Sequence, residues 1–282
     1  MIKQRFLSLG AGVQSSTLAL MIEKGQVPMV KAGIFADTGA EPEAVYKWFD
    51  WLKTQVSYPM YKVKIGDLYW HTLWFLNNMP LIDDGLSMPF FTKENTKLGV
   101  GMMRRRCTYN YKILPVTMKI RNLLGVKKHK KINKKTNERG IDLLLGISYD
   151  ELLRMKQNKN KYFNNIYPLV DLKMSRQNCI DWMKKNYNKT PPRSSCIFCP
   201  YHSNKEWLRI KENKSDWDKL IKFDRGLRDN KDWWGHGKRD TRNKNNLYLH
   251  RSCKPIEEID FKNTNDNQSN FVESCEEGYC GI

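Results

Sequence analysis

Two glycines and a run of three hydroxyl residues open the chemistry of this chain. Gly10, Ala11, Gly12, Val13, Gln14, Ser15, Ser16 and Thr17 stand between a short apolar run and a stretch with helical spacing. Glycine lets a backbone approach a ligand closely and accept positive φ. Free N–H groups at a helix start attract anions, with help from the helix dipole. The segment is therefore an expected anion site, and Ser8 just upstream offers a further hydroxyl.

Several kinds of phosphate loop could account for it. A dinucleotide fingerprint would place a third glycine where Ser15 stands, and Asp37 closes the second strand, where such folds carry a ribose-binding acid. A Walker A loop is excluded, because no Gly-Lys-Ser/Thr follows. The Ser-Ser-Thr run separates the readings further, since a dinucleotide loop has no use for three hydroxyls.

Cations come next. Arg104, Arg105, Arg106 and Lys112 form a dense cluster that Arg154 could join. Such a cluster can neutralise a triphosphate and stabilise charge growing on a leaving pyrophosphate. The alternative is a solvated basic helix start. Asp150 and Glu151 could hold Mg²⁺ or simply cap and pair on a helix surface. Tyr149 and Trp48 read as packing residues.

Four of the seven cysteines lie in two close pairs, Cys196/Cys199 and Cys275/Cys280. Thiolates at C-x-x-C spacing can reach one metal from a single turn. In one arrangement all four bind structural zinc and pin the C-terminus. In the other, Cys107 joins Cys196, Cys199 and one later cysteine around a [4Fe–4S] cluster. Cys253 and His202 are further candidates, and reduced thiols remain the third option. Cys179, on a helix with Ile180 and Met183, reads as core.

The elements that must hold these groups alternate. Residues 5–9, 30–36, 58–65 and 141–146 read as strands, with a fifth beginning at 165–168. Residues 16–24, 41–54, 108–124 and 175–186 read as helices. On residues 41–54 Ala44, Val45, Trp48, Phe49 and Leu52 share one face. This βαβ alternation predicts an α/β fold, a parallel sheet flanked by helices. Residues 77–103 show no period and read as a long active-site loop or lid. A soft boundary near 190 separates a nucleotide-binding domain, 1–190, from a basic, Trp- and Cys-rich helical region, 191–282, with amphipathic helices at 204–213 and 215–227.

The whole chain of 282 residues carries 49 Lys+Arg against 30 Asp+Glu, a formal net charge of +19. That field attracts polyanions such as nucleic acid. A Lys- and Asn-favouring genome would produce the same bias. Residues 127–135 form a basic run. In the C-terminal region Trp207, Trp217, Trp233 and Trp234 interleave with Lys and Arg, a pattern able to stack bases and track phosphates. Trp207 and Trp217 are expected to anchor helices instead. The chain contains no run of 18 apolar residues and no secretory h-region, so it reads as cytoplasmic and outside the membrane.

Residues 10–16 resemble the PP-loop of ATP pyrophosphatases, Ser-Gly-Gly-x-Asp-Ser-Ser/Thr, with Gly10 at the first serine and Gln14 at the aspartate. Phe35-Ala36-Asp37-Thr38-Gly39-Ala40-Glu41 is similar to the Asp-Thr-Gly segment of the phosphoadenosine phosphosulfate (PAPS) reductase branch. Arg104–Thr108 with Tyr111-Lys112, Gly146–Glu151 with Arg154, and Tyr167-Pro168-Leu169 resemble its later segments in order. The resemblance covers roughly residues 5–200. It implies a Rossmann-like (HUP-type) fold, ATP and Mg²⁺ as ligands, phosphates on Ser8, Gly10, Ala11, Gly12, Gln14, Ser15, Ser16 and Thr17, and adenosine near Asp37, Thr38 and Gly39. Gly146 and Glu151 would complete the nucleotide site. Arg105, Arg106, Cys107, Lys112 and Arg154 would carry the chemistry.

The implied reaction is adenylation of an acceptor, nucleic acid or nucleotide, with loss of pyrophosphate. A sulfur donor or thioredoxin-like protein could then serve a transfer step. The [4Fe–4S] arrangement is similar to that of adenylyl-sulfate reductases and DNA-phosphorothioation relatives. True PAPS reductases end in Glu-Cys-Gly-Leu-His, whereas this chain ends Cys275-Glu-Glu-Gly-Tyr-Cys280-Gly-Ile, which counts against sulfonucleotide reduction. A catalytically reduced nucleotide-sensing or nucleic-acid-binding module is the third reading, prompted by Gln14.

Overall fold

A computed structural model describes residues 4–78, 86–93, 100–126, 140–228 and 247–263. The expectations placed on residues 127–135, on Trp233 and Trp234, and on Cys275 and Cys280 lie outside the described residues.

Strands β1 (Gln4–Leu9), β2 (Ala32–Ala36), β3 (Met60–Val63), β6 (Ile141–Leu145) and β7 (Phe163–Ile166) form one parallel sheet in the order β3-β2-β1-β6-β7. The chain winds outward from β1 in one direction and then returns to β1's other side. β1 thus pairs with both β2 and β6, with Leu7 beside Gly33 and Leu144. The order reverses between β1 and β6, and in such sheets ligands bind in the crevice outside the strand ends at that switch point.

Alternation along β1 explains the layers. Leu7 and Leu9 face a core built with α1 (Val13–Glu23), α2 (Glu43–Thr54) and α6 (Arg176–Tyr187). Phe6 faces the opposite core, with Val116 and Ile120 of α4 (Leu114–Leu123). The fold is α/β and Rossmann-like, helices flanking a parallel sheet. Cys179 is fully buried in the first core. Burial pushes its thiol up to about 12.

Three local expectations change. The helix over 108–124 begins as a π-helical turn, Tyr109–Ile113, before α4. Pro115 has no N–H to donate and its ring crowds the carbonyl one turn back, so the preceding turn widens. The last sheet strand lies at Phe163–Ile166, and Pro168 starts the short helix α5 (Pro168–Asp171) instead of ending the strand.

The third change concerns residues 77–103, read as a loop. Phe91–Lys93 (β4) and Val100–Met102 (β5) pair antiparallel, and β4 also pairs with β8 (Leu247–Tyr248). Leu86, Met88 and Phe90 are buried in a third core. That core also takes Leu68 and Leu76 of α3 (Leu68–Asn78), Trp207 of α7 (Asn204–Glu212), and Leu220 and Phe223 of α8 (Lys214–Arg228). Trp207 is fully buried and Trp217 packs against the same core, so both anchor their helices. No helix among the described residues is long and apolar enough to cross a membrane.

Candidate functional site

The loop after β1 sits at the switch point. Ala11 turns it with φ 56°, and Gly12, in extended backbone, precedes the first turn of α1. No side chain caps α1, and its first turn holds no acid. An α-helix leaves its first N–H groups without intrahelical partners, so here they face the crevice as donors.

Close approach explains two glycines. A Cβ on Gly146, just past β6, would stand 2.7 Å from the N and Cα of Ser15. A Cβ on Gly12 would meet the Cβ of Ser194 at 3.3 Å. The segment around Ser194 therefore lies against the loop from the other side. Ser8 sits inside β1, in register with Ile34 and Leu145.

The hydroxyls divide by task. Ser15 Oγ accepts the Gly10 N–H at 3.3 Å and shapes the loop. Ser16 Oγ accepts from the Trp48 indole N–H at 2.9 Å. Thr17 Oγ1 donates to the Val13 carbonyl at 2.9 Å. Ser16 and Thr17 are thus engaged in fixing α1, and Trp48 tethers α2 to it.

On the β2 side, Asp37 Oδ1 accepts from the Gly39 N–H and from the Tyr46 hydroxyl, both at 2.8 Å. Thr38 Oγ1 accepts the Ala40 N–H at 3.2 Å. Gly39 takes φ +75°, which closes this turn. Burial, with the Asp37 carboxylate beside it, raises the Tyr46 phenol well above its ordinary range.

On the β6 side a polar cluster forms. Gln14 donates to Ser148 Oγ at 3.4 Å and accepts from Arg176 Nη1 at 2.8 Å. The Arg176 backbone N–H reaches both oxygens of Asp150, at 3.0 and 3.2 Å. Glu151 and Arg154 form a buried ion pair at 2.7 Å. Burial raises the Glu151 carboxyl, and the Arg154 guanidinium opposes that rise. Glu151 Oε1 is buried with no hydrogen-bond partner among the described residues.

The predicted cations are spread around this crevice. Arg154 is committed to Glu151. Lys112 pairs with Glu41 at 3.2 Å, and Ser194 donates to the other oxygen of Glu41 at 3.3 Å. Arg105 bonds Thr108 and lies over the Tyr201 ring. Arg104 is exposed, and the backbone N–H groups of Arg106 and Cys107 both reach the Ser87 carbonyl. Arg176 stands beside the loop and was not singled out from sequence. Its visible signal was a basic residue directly after a helix-capping serine, Ser175, where the dipole disfavours positive charge.

Cys196 and Cys199 lie on one buried turn, with Cys107 packed at the edge of the same core. Burial, reinforced by the neighbouring Cys199, pushes the Cys196 thiol well up. His202 Nε2 contacts the Cys196 carbonyl at 2.8 Å and meets Trp207 edge-on. Cys253 is buried at a φ of 50°. Among the described residues no group of three or more His, Cys, Asp or Glu side chains is placed to hold a metal ion. Cys275 and Cys280, which the predicted zinc arrangement also needs, lie outside the described residues.

A separate surface cavity of about 520 Å³, lined by Lys156, Lys161, Asn158, Asn164 and Tyr167 among others, lies at the edge strand β7. It contains no residue of the loop after β1 and none of the predicted site.

No protein-family model matches the chain, and no curated protein matches it. Solved structures similar to the chain include two enzymes. A phosphoadenylyl-sulfate (PAPS) reductase from Candida auris, in a phosphate complex, has 15% identity and a TM-score of 0.40, covering 68% of this chain and 75% of that one. A U34-tRNA thiolase from Methanococcus maripaludis, with its [4Fe-4S] cluster, has 13% identity and a TM-score of 0.32, covering 79% of this chain and 72% of that one.

Proposed function

We propose that the crevice after β1 binds ATP and that the chain is a PP-loop ATP pyrophosphatase-type enzyme, adenylating an acceptor with release of pyrophosphate. One observation carries the reading: the start of α1 has no side-chain cap, at the switch point of a parallel sheet, beside a glycine pressed against its backbone. The order of the PP-loop-like segments supports adenine nucleotide over other anions.

In this reading the N–H groups of Val13, Gln14 and Ser15 hold phosphate oxygens. The turn of Asp37, Thr38 and Gly39 takes the adenosine side. An acceptor oxygen attacks the α-phosphorus, a new P–O bond forms, and the bond to the bridging oxygen breaks. The electron pair leaves with pyrophosphate, and cations near the loop stabilise that charge. The Glu151 oxygen that lacks a partner among the described residues fits Mg²⁺, which commonly takes one or two carboxylates plus substrate phosphates and would neutralise phosphate charge. The formal charge of +19 favours a nucleic-acid acceptor.

The test is incubation with α-labelled ATP, Mg²⁺ and single-stranded DNA or RNA. Labelled AMP, free or attached to the acceptor, together with pyrophosphate is the expected outcome. ADP and phosphate would overturn α–β cleavage. A nucleotide-sensing module is the second reading, favoured by the neutral Gln14 and by the pairing of Glu151 and Glu41 with cations. Tight ATP binding with no turnover under those conditions selects it.

A further inference from the structure

We infer that Arg176, held by Gln14, is the group that grips the terminal phosphates of the bound nucleotide, and that the neutrality of Gln14 is what leaves it able to do so. The inference rests on the nucleotide reading above and adds to it a residue that sets how many phosphates the site prefers.

Arg176 is the first residue of α6, and Gln14 lies in the first turn of α1. The bond from Arg176 Nη1 to Gln14 Oε1, at 2.8 Å, therefore brings a guanidinium to the same helix start whose N–H groups face the crevice. Among the described residues that amide is the guanidinium's hydrogen-bond partner. The nearby acids carry other bonds: Asp150 receives the Arg176 backbone N–H and Glu151 receives Arg154, while both still act electrostatically on the guanidinium.

A second guanidinium comes close. Arg193 precedes Ser194, the residue that packs on Gly12. Partial burial, and after it the positive charge of Arg193, lowers the Arg176 pKa, while Glu151 and Asp150 oppose the shift. Arg193 pairs with Glu206 at 3.5 Å, and Glu206 also pairs with Arg209. Two partly buried guanidiniums on the side of the uncapped start of α1 add positive potential there, which an anion would relieve. Arginine offers a planar fork suited to phosphate oxygens.

Gln14 completes the argument. An amide oxygen orients the guanidinium without cancelling its charge. A carboxylate at position 14 would form an ion pair with Arg176 and remove the net charge from the crevice. On this inference Arg176 adds a contact for phosphates beyond the α position, so the preference falls on ligands that carry them over AMP.

The experiment measures affinity for ATP, inorganic pyrophosphate and AMP by calorimetry, with thermal melting as a check on folding. Arg176→Gln is expected to weaken ATP and pyrophosphate by about tenfold or more, the loss of one charge-assisted contact, and AMP by less than about twofold. Arg176→Lys should retain part of the difference. Gln14→Glu, which keeps the tether but adds a charge, should weaken ATP in the same selective way. Equal losses for ATP and AMP, or no loss for either, would overturn the role of Arg176. Failure of the wild-type protein to bind ATP or pyrophosphate would instead overturn the nucleotide reading itself.

Discussion

At Gly146 an added methyl group would meet the N and Cα of Ser15 at 2.7 Å, and backbone atoms cannot rotate away as a side chain can. Gly146→Ala must push the first turn of α1 off the end of β6. Overpacking of this kind costs about 1–3 kcal/mol. The variant is expected to melt at a lower temperature and to lose ATP affinity. Gly10 is the control: its Cβ would meet only side-chain oxygens, at 3.8 Å, so Gly10→Ala should melt as the wild type does. The glycines of the loop were legible in the sequence because their type is unusual at a strand–helix junction. Arg176 was far less so: its place after the capping Ser175 is a faint local signal, and its partner lies 162 residues away. Nor could the sequence distinguish Ser15, which shapes the loop, from Ser16, which holds an indole. That difference arises only when Trp48 is folded against α1.

Between elements, Glu41 acts as a cross-tie. Its side chain is wholly buried, one oxygen receiving Lys112 and the other Ser194. Three stretches far apart in sequence are fastened there: the turn after β2, the π-helical turn before α4, and the segment leading to Cys196. Glu41→Gln removes the charge opposite a mostly buried lysine, and breaking such a pair typically costs about 3–5 kcal/mol. Chemical denaturation should show a loss of that order, and adding Lys112→Met to Glu41→Gln should recover a large part of it. A double variant no more stable than the single one would mean that Glu41 acts through contacts other than Lys112. The principal strands and helices could be read from periodicity because each has one clear apolar face or a fully buried run. α3 escaped that reading because its apolar residues surround it, with Trp70 and Trp74 exposed. β4 and β5 escaped it because three residues are too few to establish an alternation.

Across the whole molecule, the soft boundary near residue 190 does not coincide with a gap in packing. The third core draws Leu68, Leu76, Leu86, Met88 and Phe90 from one side of that point and Trp207, Leu220 and Phe223 from the other. A fragment ending at residue 190 would expose the first set, so it is expected to lack a cooperative thermal transition. An independent transition in that fragment would instead support a separate folding unit. The sequence suggested a boundary because composition changes there, but composition reports surface chemistry more than it reports which faces meet. The reversal of strand order between β1 and β6 has a wider consequence. It creates a cleft from connectivity alone, before any particular side chain is chosen. Substitutions in the turns that border it can therefore exchange one ligand for another during evolution without relocating the place where ligands are met. In this chain the address belongs to the winding of the sheet, and only the vocabulary of the proposed recognition belongs to Gln14, Arg176 and their neighbours.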